Sequence, residues 1–240
     1  MHTPAVSLYE SPEIREVTGE TIRPGGFSLT DRAVPRCGFS HGNLILDAGC
    51  GTGATVERLV TRHGLRAVGV DISRLLLSQG AAKNQNRTLA VATIPRLPFK
   101  PGVFDGVFCE CVLSLVPDRA GTLRGFCDVL KPDGYLVLTD IYARSDRMTP
   151  DLPVPGVRTC INGALPLDTL SGLVTGAGFT IHLIEDHSAL LRELAVRLIF
   201  EFGSLSQFWG SWCSKETATE TRETVNRLKP GYYLLIAQKN

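Results

Sequence analysis

Between Leu44 and Asp71, 28 residues hold a short apolar run, a glycine-rich turn, an amphipathic stretch and a second apolar run that ends in an acid. Few architectures accept that order. Leu44–Ala48 reads as a buried strand, Gly49-Cys50-Gly51-Thr52-Gly53 as a sharp turn, and Val56, Leu59 and Val60 as the apolar face of a helix. Arg66–Val70 is the next strand, closed by Asp71. Two strands joined through a helix make the unit of a parallel sheet, which needs cover on both faces.

The rest of the chain repeats the alternation. Ser73 is placed to cap a helix running to about Gln85, and Thr88–Ala92 and Val103–Cys109 read as the third and fourth strands. Leu123, Phe126, Cys127 and Leu130 recur at helical spacing, and Lys131-Pro132-Asp133-Gly134 closes that helix with turn residues. Tyr135–Thr139 is the fifth strand. Residues 146–165, with Pro150, Pro153 and Pro155, read as a loop. Leu170, Leu173, Val174 and Ala177 form a helical face ended by Gly178, and Phe179–Glu185 is a strand. The stripe Leu191, Leu194, Ala195, Leu198, Ile199 and Phe202 marks a helix inside a segment, 187–229, inserted before the last strand, Tyr232–Ala237. The expectation is one α/β domain over residues 1–240, doubly wound, with residues 1–36 leading into the first strand.

Composition narrows the function classes. With 43% hydrophobic and 20% charged residues the chain holds enough apolar surface for a large core. A formal net charge of +1 gives no basic field for nucleic acid, so a small-molecule partner is expected. No apolar run reaches the ~18–20 residues of a membrane span, and the first residues lack the charged start and apolar stretch of a signal peptide. The expected location is the cytoplasm. Seven scattered cysteines with no CxxC read as free thiols, and no metal site is expected.

The turn after the first strand carries the chemistry. Glycines there let the backbone approach a ligand, and the following helix offers free N–H groups to an anionic group. Asp71 lies 18 residues beyond Gly53, where a carboxylate can accept both hydroxyls of a ribose. Gly49-x-Gly51-x-x-Ala54 also fits the dinucleotide fingerprint. A nicotinamide-binding module is therefore one reading, and a tight turn without a ligand another.

Resemblance chooses among them. The turn resembles motif I of the class I S-adenosylmethionine (SAM)-dependent methyltransferases, with an acid two residues before the first glycine, here Asp47. Leu97-Pro98-Phe99 followed by Phe104-Asp105 resembles that family's "LPF … FD" approach to the fourth strand, and Leu130–Gly134 followed by Tyr135–Leu138 its "LKPGG-strand" segment. The likeness covers roughly residues 40–180. It implies a Rossmann-like seven-stranded sheet with the last strand antiparallel, SAM as cofactor and S-adenosylhomocysteine (SAH) as product. The implied cofactor contacts are Asp47, Ala48, Gly49, Cys50, Gly51, Gly53, Asp71, Ile72, Thr93, Ile94 and Cys109. Asp47 matches an acid that lies near the methionine moiety. Thr93 stands where the family often has an Asp that holds the adenine amino group.

A finer resemblance concerns the acceptor. Cys109-Glu110-Cys111-Val112-Leu113-Ser114-Leu115-Val116-Pro117-Asp118 resembles the "NCVxNLVPD" segment of arsenite methyltransferases, and Thr159-Cys160-Ile161-Asn162-Gly163-Ala164-Leu165 their "ECxxGAL" segment. That branch, of the type 11 or domain 25 kind, implies that Cys111 and Cys160 hold a metalloid or a thiol-type acceptor. Upstream only Cys37 is available as a third thiol, outside the branch's context. Packing cysteines in a small-molecule O-, N- or C-methyltransferase, or a non-catalytic SAM-binding module, are the alternatives.

Three further features bear on the site. Glu110 is a candidate base for a hydroxyl acceptor. Ile22–Phe27 precedes a helix for which Ser28, Thr30 or Asp31 can serve as cap, in a region related methyltransferases use as a lid. Arg23 there is positioned to meet the methionine carboxylate or an anionic substrate, or else is a solvated turn residue. The Phe208–Trp212 cluster reads as core or as the roof of an acceptor pocket.

Overall fold

The computed structural model describes residues 8–144, 159–212 and 225–240. Seven strands form one sheet: β1 (Leu44–Ala48), β2 (Arg66–Asp71), β3 (Leu89–Val91), β4 (Phe104–Glu110), β5 (Leu130–Tyr142), β6 (Phe179–Asp186) and β7 (Gly231–Lys239), in the order β3-β2-β1-β4-β5-β7-β6. The pairs from β3 through β5 are parallel. The last strand, β7, runs antiparallel between β5 and β6. This is the Rossmann-like sheet of seven strands, the last antiparallel, that the sequence resemblance implies. No helix among the described residues is long and apolar enough to cross a membrane.

Helices cover both faces. Alternation along the strands sends Ile45, Phe108, Val137, Tyr232, Leu234 and Ile236 to one side, where they meet α2 (Ser28–Arg36), α3 (Ala54–His63), α7 (Ser188–Phe202) and α8 (Leu205–Gly210). Leu46, Val107, Leu136, Leu138 and Leu235 go to the other side and meet α5 (Arg119–Val129) and α6 (Leu167–Gly176). The helix signals act locally as chemistry requires. The Ser73 hydroxyl accepts the Leu76 N–H at 3.2 Å to start α4 (Arg74–Lys83), and Asp118 accepts the Gly121 N–H at 2.8 Å to start α5. A short α1 (Pro12–Thr18) precedes α2.

Two local expectations change. Lys131–Gly134 does not form a free turn after α5. The chain enters β5 directly at Leu130 and carries these residues as a bulge, since Phe104 pairs with Leu130 and Gly106 with Tyr135. Asp133 takes up the extra length at a φ of 60°. Lys131 then reaches Asp105 at 2.7 Å, and the same carboxylate accepts the Leu44 N–H at 2.7 Å, so one acid ties β4 to β5 and β1. The second change is at α2. Its N-cap is Phe27, with no side-chain cap, and the proposed caps are spent elsewhere: Thr30 bonds Glu110, and Asp31 pairs with Arg58 and His63.

Most of the proline-bearing loop, residues 145–158, and residues 213–224 with Cys213 lie outside the described residues. The described part of segment 187–229 includes α7 and α8, whose aromatic residues pack inward. Phe202, Phe208 and Trp209 stack edge to face at 5.2 and 4.9 Å within the core, not over the cavity described next.

Candidate active site

Chain direction across the sheet reverses between β1 and β4, which leaves a crevice at their C-terminal ends. There lies a cavity of about 740 Å³. The turn after β1, the end of β2, residues 93–95 and the segment 110–117 form its floor and sides, and residues from Tyr9 to Arg23 cover it.

One end is built mainly from backbone. Gly49 has a φ of 83°, and a side-chain carbon there would run into Val112. The Gly51 N–H donates to Asp71 Oδ2 and the Ser73 N–H to Asp71 Oδ1, each at 2.8 Å. These bonds fix the carboxylate on the cavity wall and leave lone pairs on each oxygen for a ligand. Ile72, Thr93 and Ile94 join Asp71 on the wall, and so does Cys50. Asp47 is 2% exposed, and its Oδ2 has no hydrogen-bond partner. Burial pushes the Asp47 carboxyl well up, Glu110 and Asp71 add to this, and Arg23 opposes it. Thr52, on the wall, likewise has a buried hydroxyl without a partner. Orphaned buried acceptors of this kind call for a ligand donor.

The middle of the cavity holds an ion pair. Arg23 Nη1 lies 2.5 Å from Glu110 Oε2, with exposures of 8% and 2% for the two side chains. Arg23 also donates to Thr55 Oγ1 at 2.9 Å, Thr30 Oγ1 at 2.7 Å and the Gly26 carbonyl at 2.7 Å. Thr30 donates in turn to Glu110 Oε1 at 2.9 Å, and Thr55 donates to Glu110 Oε2 at 3.2 Å. Arg23 is therefore neither a solvated turn residue nor a free anion receptor. Glu110, the candidate base, is paired with Arg23 and accepts from two hydroxyls.

The wall also carries Tyr9, Cys111, Leu115, Val116 and Pro117, with Val112 beside Gly49. Cys111 sits at a φ of 57°, its N–H held by the Thr139 carbonyl at 2.7 Å. Its sulfur lies 3.2 Å from the Tyr232 hydroxyl, which donates to Thr139 Oγ1 at 3.1 Å. The Cys160 N–H donates to the Tyr9 hydroxyl at 3.0 Å. Burial pushes the Cys111 thiol well up and the Cys160 thiol up to about 12, each assisted by Asp140. Both thiols are therefore protonated near neutral pH in the ligand-free protein. Cys160 is off the cavity wall. Among the described residues no three Cys, His, Asp or Glu side chains converge as a metal site.

The structure thus places Gly49, Cys50, Gly51, Asp71, Ile72, Thr93 and Ile94 on the cavity wall together with Arg23, Glu110 and Cys111, while Asp47 is buried near Asp71 and off the wall. Ala48 packs beneath the sheet, and Gly53 opens α3 behind the wall. Cys109, expected at the cofactor, faces the opposite layer with no exposure. Tyr9, Thr30, Thr55 and Tyr232 were not singled out by the sequence. Each is a lone polar residue in an otherwise ordinary stretch, and only the tertiary fold brings them in.

Residues 46–138 match the family described as a methyltransferase domain. The O-methyltransferase rstn1 of Aspergillus nomiae is 28% identical over 153 residues, 61% of this chain and 66% of that protein. The crystal structure of the [4+2]-cyclase SpnF superposes with a TM-score of 0.78 at 21% identity, covering 100% of this chain and 99% of that one. The Haemonchus contortus phosphoethanolamine N-methyltransferase 2, in complex with phosphomonomethylethanolamine and SAH, gives 0.72 at 19% identity, over 94% of this chain and 56% of that one. The chain spans about half to two thirds of the length of the first curated relatives it matches. From β1 into β5, residues 46–138 of this chain are therefore similar to a methyltransferase domain, and they lie on a seven-stranded sheet with β7 antiparallel.

Proposed function

We propose that the chain is a SAM-dependent methyltransferase acting on a small-molecule acceptor. The observation that carries this reading is the Asp71 carboxylate, oriented on the cavity wall by two backbone N–H groups beside the Gly49–Gly51 turn, with the buried, orphaned Asp47 carboxylate near it. Asp71 is fixed by two backbone N–H groups to receive the ribose, and buried Asp47 Oδ2 awaits a cationic donor such as an α-ammonium group. Gly49, Cys50 and Gly51 form the cradle, and Ile72, Thr93 and Ile94 flank the base. Ala48 and Gly53 support the turn without touching the ligand.

Bound SAM supplies a methyl group already activated by its sulfonium charge. The chain's own task is placement, where effective molarities on the order of 10⁵–10⁸ M show what positioning alone supplies. The Arg23–Glu110 pair joins the cover to β4 and fixes the boundary between cofactor and acceptor. The likeness to the Aspergillus O-methyltransferase favours a hydroxyl acceptor. With Glu110 committed to Arg23, the acceptor's own acidity and solvent water carry its proton.

Titration calorimetry of the full chain with SAM, SAH and NADH tests the cofactor. SAM and SAH are expected to bind and NADH to give no heat; binding of NADH in place of SAM overturns the reading. The likeness to SpnF shows the fold alone, so transfer needs its own test. SAM turnover to SAH on addition of acceptor extracts, with a matching gain of one methyl group in a small molecule, is the expected result.

A further inference from the structure

We infer that the acceptor taken by this cavity is an uncharged, largely apolar molecule presenting a hydroxyl, and not a phosphate-bearing base. The inference rests on the proposed SAM reading and concerns the space that remains beyond Glu110.

The cavity wall there includes Leu115, Val116 and Pro117 from the segment after β4, with Ile22 from the cover and Val112 toward Gly49. Apolar walls of this kind favour burial of apolar surface at roughly 25 cal/mol per Å². A charged group entering them must be paired or it is expelled.

The described wall carries more carboxylates than cations. Its charged side chains are four carboxylates, Glu10, Glu20, Asp71 and Glu110, and two guanidinium groups, Arg15 and Arg23. The balance is net negative and repels an anion. Phosphate recognition by arginine uses two parallel N–H donors. Arg23 has spent donors on Glu110, Thr30, Thr55 and Gly26. Arg15 gives one donor to the Gln79 side chain and, at 3.2 Å, one to the Glu10 carbonyl, and its buried Nε stands without a partner.

What the acceptor end does offer is neutral hydrogen bonding. The Tyr9 hydroxyl and the Cys111 thiol both stand on the wall. Burial pushes both well above their ordinary values, so both keep their protons near neutral pH. Each can bond a hydroxyl without presenting a charge.

The test uses the full chain saturated with SAH, and two probes in calorimetric titration: 1-naphthol, which is neutral and apolar with one hydroxyl, and phosphoethanolamine. Expected is binding of 1-naphthol at least about tenfold tighter than phosphoethanolamine. Val116→Thr keeps the shape and adds a polar atom, and should weaken 1-naphthol by about fivefold. Val116→Arg should weaken it by more than about tenfold, with SAH affinity unchanged in both. Phosphoethanolamine binding as tightly as 1-naphthol, no 1-naphthol binding to SAH-loaded protein, or indifference to both substitutions overturns the inference. If SAH itself fails to bind, the cofactor reading fails first and takes this one with it; that outcome is read separately, in the SAH titration.

Discussion

The two ends of the cavity are made of different materials. At the cofactor end the ligand-facing groups are largely backbone, held by glycine geometry and by N–H bonds to Asp71. At the acceptor end they are side chains, Tyr9, Cys111, Leu115 and Val116, drawn from the N-terminal cover and the segment after β4. Backbone contacts demand a fixed conformation and tolerate little substitution in the turn that makes them. Side-chain contacts can be exchanged while the strands beneath them stay put. One end is therefore suited to a constant ligand and the other to a variable one, and the Arg23–Glu110 pair stands at the seam.

The largest expected effect is at that seam. Glu110→Gln keeps the shape but leaves the Arg23 guanidinium buried without a counter-charge. Breaking a buried pair from one side costs about 3–5 kcal/mol, readable as a fall in urea-unfolding stability. Replacing both partners, Arg23→Met with Glu110→Leu, should restore most of that stability. A Glu110→Gln loss below about 1 kcal/mol would mean the pair does not bind cover to sheet.

The next effect belongs to the acceptor side alone. Asp140 is 1% exposed under the wall segment and accepts the Ser114 N–H at 2.9 Å and the Ser114 hydroxyl at 2.8 Å. Burial raises its carboxyl from 3.8 to about 6, against the pull of its hydrogen bonds and of Arg119. A raised acid binds its proton more tightly folded than unfolded. Its stabilising contribution is therefore full below about pH 4 and is lost as pH rises through about 6, by about 3 kcal/mol in all. Asp31 and Glu185, both lowered to about 2 by bonds to Arg58 and Arg32, act in the opposite sense below pH 4. The measurement is therefore the difference between wild type and Asp140→Asn from pH 4 to 7. A difference that does not change with pH would remove Asp140 from the account.

The same contrast explains what could be read in the sequence. Gly49, Gly51 and Asp71 were legible because a backbone cradle restricts residue type at fixed spacing. The sheet and its antiparallel last strand were legible from alternation and from resemblance. The acceptor end was not, because its geometry turns on one backbone angle. Strict alternation puts Cys109 and Cys111 on the same face of β4. Yet β4 ends at Glu110, and Cys111, at a φ of 57°, swings its thiol to the cavity while Cys109 stays in the opposite layer. The Glu110 network was equally hidden, since Thr30 and Thr55 meet it across 80 and 55 residues of chain. The bulge at Lys131–Gly134 was misread as a turn because both use the same residues.

A smaller effect sharpens the cofactor side. Gly49→Ala forces a side chain into a left-handed conformation and against Val112. A loss of about 2 kcal/mol is expected from strain and overpacking together, along with weaker SAH binding. Val112→Ala in the same chain should recover the overpacking part and leave the strain. Full recovery would show that the turn tolerates a side chain and that its backbone is not the constraint.

The smallest effect is expected where the metalloid resemblance pointed. Cys160 touches the site through its backbone N–H and its thiol, both on the Tyr9 hydroxyl, and the thiol, pushed up to about 12, stays protonated. Cys160→Ser keeps that N–H and changes one neutral donor for another. Stability should fall by less than about 1 kcal/mol, and SAH and 1-naphthol affinities should hold within about twofold. Trivalent arsenic makes the sharper probe, because it binds thiolates and not neutral hydroxyls. Wild type and Cys160→Ser should bind arsenite with equal, weak affinity in calorimetry. If wild type bound it at least about tenfold more tightly than the variant, the acceptor end would be a thiolate site after all, and its neutrality, on which the difference between the two ends depends, would be lost.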